Sequence, residues 1–331
     1  MASALRLALP QLPPCHNQHA SQLDPVHLTD APRLLAALRP RAAAAAAARA
    51  AGPAAAAAAP PAPPHSQVHV VAGEEGGPPE AYVLVEESNH AGPRFGIIAR
   101  GPRAAARRGS ARALQELAAL RLEQLRFFGL PEAAVEAADD LLPRSGYVRR
   151  YHNPCWQYVL PQPLAAAAVE RWRDEARRLG ERGYRLSELQ PSDAETVDAR
   201  WPYRSAWSLP FIQTRIIGRL ATACARDAAG RPVAWAVEYE DGSFGMLHTE
   251  EDHRRRGLGR LVLVALVQRL VARGALARAP LFAYVVDSNE PSRRLLRALG
   301  FQETAVFSWQ GWERDDGAAA AAAAAAAGNT S

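Results

Sequence analysis

The residues best suited to chemistry in this chain are Arg254, Gly257 and Gly259, spaced RxxGxG within HRRRGLGR, just ahead of the apolar run LVLVALVQRLV. Two glycines one residue apart let backbone N–H groups approach a ligand closely, and a helix starting there adds the positive end of its dipole. Anions suit such a turn, phosphates above all. A Walker loop is excluded, because Arg260-Leu261 stands where its GK[ST] would complete. The GxGxxG fingerprint is excluded too, because Val262 holds the third glycine position. The run Arg254-Arg255-Arg256 is by itself compatible with a nuclear address, a nucleic-acid patch or a solvated charge run.

Those residues need a strand before them and a helix after them. Thr222–Arg226 and Pro232–Glu240 read as antiparallel strands joined through Asp227–Gly230. Asp241-Gly242 is a favoured hairpin turn, and Ser243–Thr249 is the strand it launches. The apolar run to Val271 reads as a buried helix by its length and its Arg273-Gly274 stop. Leu281–Val286 is a strand. Asn289–Leu299 is a helix with Pro291 in its first turn, Arg293, Arg294 and Arg297 outside, Leu295, Leu296 and Leu299 inside, and Gly300 as its cap. Upstream, GYRLSELQ reads as a strand, SDAETVDARW as a capped helix and Phe211–Leu220 as another. A β-meander, helix, strand and helix in that order make an α+β layer fold.

The first half is less sharply marked. Val68–Val71, Tyr82–Glu86 and Phe95–Ala99 read as strands, and Ser110 offers an N-cap to a helix running past Leu125 to Gly129-Leu130-Pro131. A polar stretch, QYVLPQPL, precedes a charged helix around Val169–Leu179. The expected organisation is an Ala/Pro-rich leader (1–65), a small α/β lobe (66–180), an α+β domain (181–313) and an Ala-rich tail (314–331). Leader and tail cannot bury enough apolar surface to fold alone.

Composition narrows the function classes. All 39 Lys+Arg residues are Arg, which with the Ala and Pro excess points first to a GC-rich genome, and a net charge of +5 is too small to argue for nucleic acid. Basic residues are not interleaved with aromatics on one face, so no nucleic-acid partner is expected. Cys15, Cys155 and Cys224 form no CxxC and the His residues no HExxH, so no metal is expected. No apolar segment reaches the ~20 residues of a membrane span, so no membrane partner is expected. The leader holds Arg6, Arg33, Arg39, Arg41 and Arg49 against Asp24 and Asp30 alone. That pattern fits a mitochondrial transit peptide or, equally, a GC-biased leader on a cytoplasmic protein.

With both glycines and the following strand and helix in view, RxxGxG resembles the acyl-CoA loop of the GCN5-related N-acetyltransferase superfamily. NEPSRRLLRALGF resembles the strand–helix signature that follows it. More narrowly, PVAWAVEYEDGSFGMLHTEEDHRRRG, FAYVVDSNEPS and Trp309-x-x-Trp312 look like the glycine N-acyltransferase and glycine N-acyltransferase-like family. The resemblance is firm from Gly183 to Trp312 and faint before it, where that family has a degenerate lobe of similar type. It implies an N-acyltransferase that moves an acyl group from acyl-CoA, as co-substrate, to the amine of glycine or another small amino acid. It implies no permanently bound cofactor and is compatible with a monomer. Leu247 and Thr249 would offer backbone groups to the pantetheine arm. The amides from Arg255 through Leu258 to Arg260 would hold the pyrophosphate, with Arg254, Arg255, Arg256 and Arg260 adding field. Asn289 would reach the pantetheine amides from the next strand.

Two departures bear on mechanism. Ser243 stands where that family's proposed general base, a Glu, would be, and Leu296 replaces a Tyr that serves many acetyltransferases as acid. The candidate bases are then His248, Tyr284 and Glu238. An imidazole has a suitable ordinary pKa, although strict strand alternation puts His248 opposite Ser243 and Thr249. Two further readings are a protein N-terminal or lysine acetyltransferase and a catalytically silent acyl-CoA-binding module.

Overall fold

The computed structural model describes residues 25–27, 66–71, 81–86, 94–99, 317 and 101–315, the last range without 162, 163, 165, 240, 241 and 276–279. Apart from 25–27 and 315 and 317, the expected leader and the tail beyond Arg314 lie outside these residues. By internal contacts the chain divides into two units, one holding Trp156–Thr304 and the other Gln22–Cys155 with Ala305–Ser331.

The second of these carries β1 (Pro25–His27), β2 (Ser66–Val71), β3 (Ala81–Glu86), β4 (Arg94–Ala99), α1 (Arg103–Ala119), β5 (Gln124–Pro131) and α2 (Glu132–Leu141). β2, β3 and β4 form an antiparallel meander, and β4 meets β5 in parallel at Phe95 and Phe127. Val83, Val85, Phe95 and Ile97 pack against Leu114 and Leu117 of α1 and Ala134 and Ala138 of α2. The expected helix through Leu125 is corrected here. α1 begins before Ser110, which is fully buried inside it, and the chain reverses at Arg121, whose φ is 50°. Gln124–Pro131 then alternates, Leu125 and Phe127 in the core and Gln124, Arg126 and Phe128 less buried, which is the period of a strand. Gly129, at φ 58°, absorbs the extra residue where β5 pairs with the chain's last strand.

The other unit begins with the end of β6 (Tyr147–Leu160), so Gln157–Leu160, expected to be a polar connection, is strand. There follow α3 (Ala166–Glu181), β7 (Arg185–Ser187), α4 (Ala194–Arg200), α5 (Ser208–Phe211) continued by one wide turn to Ile216, β8 (Thr222–Arg226), β9 (Pro232–Glu238) and β10 (Ser243–Thr249). Then come α6 (Leu258–Ala272), β11 (Leu281–Val286), α7 (Glu290–Ala298) and the start of β12 (Gln302–Arg314). Within this unit the strand order is β6-β11-β10-β9-β8-β7. The middle of α6, Leu261–Val267, is apolar and buried on every side, between α3 and the sheet face bearing Ala234, Ala236, Phe244, Leu247 and Ala283. The opposite face carries Cys224, Trp235, Val237 and Met246 under Val197, Leu209, Ile212 and Ile216.

Both units share one order of elements: meander, helix, strand, helix, strand. The final strand of each order is exchanged, since β12 lies beside β5 and the end of β6 beside β11. Arg293, expected outside, is mostly covered: it donates to Tyr158, Asp287 and Glu303 and lies over the Trp156 ring. Its aliphatic stem and planar head suit such a covered, multiply bonded position.

Candidate functional site

The site is opened by a local irregularity in β10. Ser243 and Phe244 pair in parallel with Phe282 and Ala283 of β11, and the recorded register goes no further. On its other edge β10 pairs with β9 at Phe244, Gly245, His248 and Thr249, and the register shifts between Gly245 and His248, where Met246 adopts φ 48°. A β-bulge bends and over-twists its strand, so beyond it His248 and Thr249 keep β9 and the pairing with β11 does not continue. Backbone groups of Leu247 and Thr249 on that edge are then free of the ladder.

The bulge also changes which side chains share a face. Phe244 and Leu247 pack toward α6, and the Thr249 hydroxyl lies 3.4 Å from where a Cβ on Gly259 would stand. Ser243, Gly245, Met246 and His248 take the other face: Gly245 is directed at Tyr239, Met246 packs with the Trp235 cluster, and His248 stacks on Trp235. Strict alternation is therefore corrected. His248 lies opposite Thr249 as expected but on the same face as Ser243, because one residue of the bulge is extra.

Beyond β10 the chain makes one tight turn, Glu251–His253, and enters the glycine loop. Arg255 at φ 59° and Gly257 at φ 85° are both left-handed. Turns of this hand aim successive amides into one concavity, the backbone habit of anion-binding nests. Gly257 is the N-cap of α6, and the first helical bond runs from the Leu261 N–H to the Gly257 carbonyl, 2.9 Å. The amides of Leu258, Gly259 and Arg260 thus precede the ladder and point out of the helix end. Leu258 contributes only its backbone, since its side chain is buried in the core. Gly259 could carry a Cβ in ordinary contact with its neighbours. Nothing inside the fold demands glycine there, which leaves close approach from outside as the physical use of its bareness.

Most of the arginines have internal work. Arg254 Nε donates to the Thr249 carbonyl at 3.2 Å, and Arg256 donates to the Tyr184 hydroxyl and the Asp252 carbonyl, each at 2.9 Å. Tyr184 also meets His253 Nδ1 at 2.9 Å, so His253 braces the turn. Arg260 pairs with Glu175 of α3 at 2.7 Å. Among the described residues Arg255 has no side-chain partner. Asn289 caps α7, its Oδ1 accepting from the Ser292 N–H at 3.3 Å.

On the face away from α6 lie His248 and Tyr284. The His248 ring is 4.8 Å from Trp235 with 28° between planes, and its Nε2 is buried without a hydrogen-bond partner, 3.8 Å from Glu250. Burial is the main reason its imidazole is held below the usual histidine range, partly offset by the Glu250 charge. Glu250 accepts from Arg200 at 2.8 Å. Burial alone would raise the Glu250 carboxyl, but Arg200 outweighs it and the net shift is downward. The Tyr284 hydroxyl accepts from Gln157 at 3.4 Å, and Gln157 is itself held by Thr304 at 3.0 Å. Glu238 is spent differently: its carboxylate accepts from the Ala221 N–H at 2.8 Å and ties the end of β9 to β8.

Sequence reasoning missed Glu175, Tyr184, Glu250, Arg200 and Gln157. Glu250 follows the strand directly and was findable as the acid nearest His248. Glu175, inside a charged helix among other acids, carried no signal of its own. Among the described residues no group of three or more His, Cys, Asp and Glu could hold a metal ion, and no helix is long and apolar enough to cross a membrane.

Residues 223–310 match the family model of FR47-like proteins. The chain is 28% identical over 130 residues to human glycine N-acyltransferase-like protein 1, covering 39% of this chain and 41% of that one. It is 27% identical over 117 residues to bovine glycine N-acyltransferase, covering 35% and 38%. The matched part thus spans about two fifths of the length of these curated relatives. A Drosophila protein of known X-ray structure shares the fold with a TM-score of 0.56 at 20% identity, over 71% of this chain and 74% of that one. The chain is α+β and shares its fold with that Drosophila protein, and the sequence relatives it matches are glycine N-acyltransferases and their like.

Proposed function

We propose that this protein is an acyl-CoA-dependent N-acyltransferase whose acceptor is the amine of glycine or another small amino acid. The observation that carries this reading is the bulge-opened edge of β10 leading into a nest at the head of α6. The thioester's pantetheine arm would pair with Leu247 and Thr249 as a short extra strand, with Asn289 beyond it. The pyrophosphate would accept from the amides between Arg255 and Arg260, within the field of Arg254, Arg255 and Arg256. The names of the sequence relatives supply the acceptor class.

In the reaction the acceptor ammonium loses a proton to His248. The free amine forms a C–N bond to the thioester carbonyl, the C–S bond breaks, and the second proton shed by the nitrogen as the amide forms passes to the departing CoA thiolate or to water. An imidazole kept neutral by burial, with an uncommitted Nε2, is ready to take that proton. Tyr284, on the same face and fixed by Gln157, is the second candidate. Ser243 cannot replace a carboxylate base near neutral pH. We assign the acyl-CoA chemistry to the unit of Trp156–Thr304. The N-terminal unit's corresponding turn, Gly101-Pro102 before α1, lacks the second glycine and one amide. The Arg-containing, acid-poor leader supports delivery to the mitochondrion.

Free-thiol release from a panel of acyl-CoAs with glycine, glutamine and peptide acceptors tests the function. Turnover with amino acids is the expected result; turnover with peptides alone would assign the protein to the protein acetyltransferases, and CoA binding without turnover to silent binding modules. The chain has no Lys, so acyl label retained on the protein cannot sit on a lysine side chain and confuse the assay.

A further inference from the structure

The head of α6 already has an anion beside it. Its own first turn contains no acid, but α3 delivers Glu175 there. A Cβ placed on Gly257 would stand 2.3 Å from Glu175 Oε1, so the carboxylate lies directly against the N-cap residue. The same carboxylate meets Arg260 with both oxygens, at 2.8 and 2.7 Å, and its side chain is 21% exposed. The neighbouring acids of α3 are occupied on their own helix, Glu170 by Arg173 and Asp174 by Arg177. Trp172 fixes α3 across the same turn by donating to the Leu261 carbonyl at 3.1 Å.

We propose that Glu175 is an internal competitor of the ligand's pyrophosphate and sets the affinity of this loop. The inference rests on the acyl-CoA reading of the site. The carboxylate is drawn to the α6 terminus by the same field that would hold a phosphate. It also turns Arg260 toward α3. When the pyrophosphate enters, Arg260 exchanges partners and two anions then face one another across Gly257. Binding of CoA and of acyl-CoA is weakened alike, which speeds departure of the CoA product. Glu175 is thus a determinant of affinity that never touches the reacting atoms.

The test is calorimetric titration of CoA into the wild type, Glu175→Gln, Arg260→Gln and the double variant, at low and high salt. Glu175→Gln is expected to bind CoA about five-fold more tightly at low salt, ~1 kcal/mol at 1.4 kcal/mol per decade. The gain should shrink at high salt, where exposed charges are screened. Arg260→Gln should bind more weakly because it leaves Glu175 uncompensated, and adding Glu175→Gln should recover most of that loss. Near-UV circular dichroism and a second variant, Glu175→Ala, guard against a folding artefact. Equal or weaker CoA binding in natively folded Glu175→Gln and Glu175→Ala, beside a wild type that binds, overturns the competitor role. A wild type that does not bind CoA overturns the acyl-CoA reading itself.

Discussion

His248 lies flat against Trp235, 4.8 Å between ring centroids, with its Nε2 buried and unbonded. The indole stacks on the ring and helps to fix its plane, and Nε2 makes no hydrogen bond while standing 3.8 Å from Glu250. His248→Gln, which retains the shape but not the basicity, should lower kcat by ~10²–10⁴ and leave the KM for acyl-CoA nearly unchanged. Steady-state kinetics at saturating acceptor measure this. Full activity in His248→Gln would transfer the role to Tyr284, where Tyr284→Phe should then show the loss.

Burial holds the His248 imidazole below its ordinary range. In the folded protein it therefore stays neutral to more acid pH than in the unfolded chain, whose histidines titrate near 6.5. Stability from this group is complete above that value and is lost as pH falls through the folded pKa. The kcat/KM profile should show an acid limb whose midpoint lies below 6.5, absent in His248→Gln. A midpoint at or above 6.5 contradicts the burial argument.

Gly257→Glu should abolish CoA binding. Its carboxylate would meet Glu175 and face the phosphate position, and the residue would have to hold φ 85°. Gly259→Ala, which meets no clash inside the protein, should fold with wild-type stability yet lose CoA affinity. Thermal unfolding with and without CoA separates the two effects, since only the bound ligand shifts the midpoint by mass action.

Much of the loop could be read from the chain because its geometry is set by backbone conformation. The two glycines and the apolar run after them each specify local geometry directly, while Asp241 of the expected hairpin turn lies outside the described residues. Asn289 and Pro291 likewise announce the start of α7. The partners of those residues were not legible. Glu175 and Tyr184 reach the loop only through tertiary packing, and nothing in their local sequence points there. The bulge was hidden for a related reason: Met246 is an unusual residue to adopt a left-handed turn, so a pattern of alternation passed over it. Gln124–Pro131 was missed because leucines of α1 and β5 happen to fall on one helical spacing.

The base of the unit rests on a covered ion pair. Asp193 and Arg226 meet through two hydrogen bonds, 3.0 and 2.6 Å, and the Asp193 carboxylate also accepts the Gln190 N–H that starts the turn into α4. Asp193→Ala strands a mostly buried guanidinium and removes that cap, so a loss of ~3 kcal/mol is expected. Urea denaturation measures it.

The thiols of Cys155 and Cys224 are both pushed up to about 11 by burial. Neither is a thiolate near neutral pH, so iodoacetamide should leave both unmodified in the native protein and alkylate both in denaturant. Peptide mass spectrometry reads the outcome; rapid native labelling of Cys224 would mean that the sheet opens more readily than its packing implies.

The left-handed residue at Met246 gives β10 something like a reading frame. Everything downstream of it is displaced by one position relative to everything upstream, so the strand serves two masters: Phe244 and Thr249 for the helix layer, Ser243 and His248 for the opposite face. Removing one residue at the bulge would restore simple alternation and a longer ladder with β11. It would also close the gap beside β11 and exchange the face of every side chain beyond it. A tidier strand would thus remove the open edge on which the proposed acyl-CoA site rests.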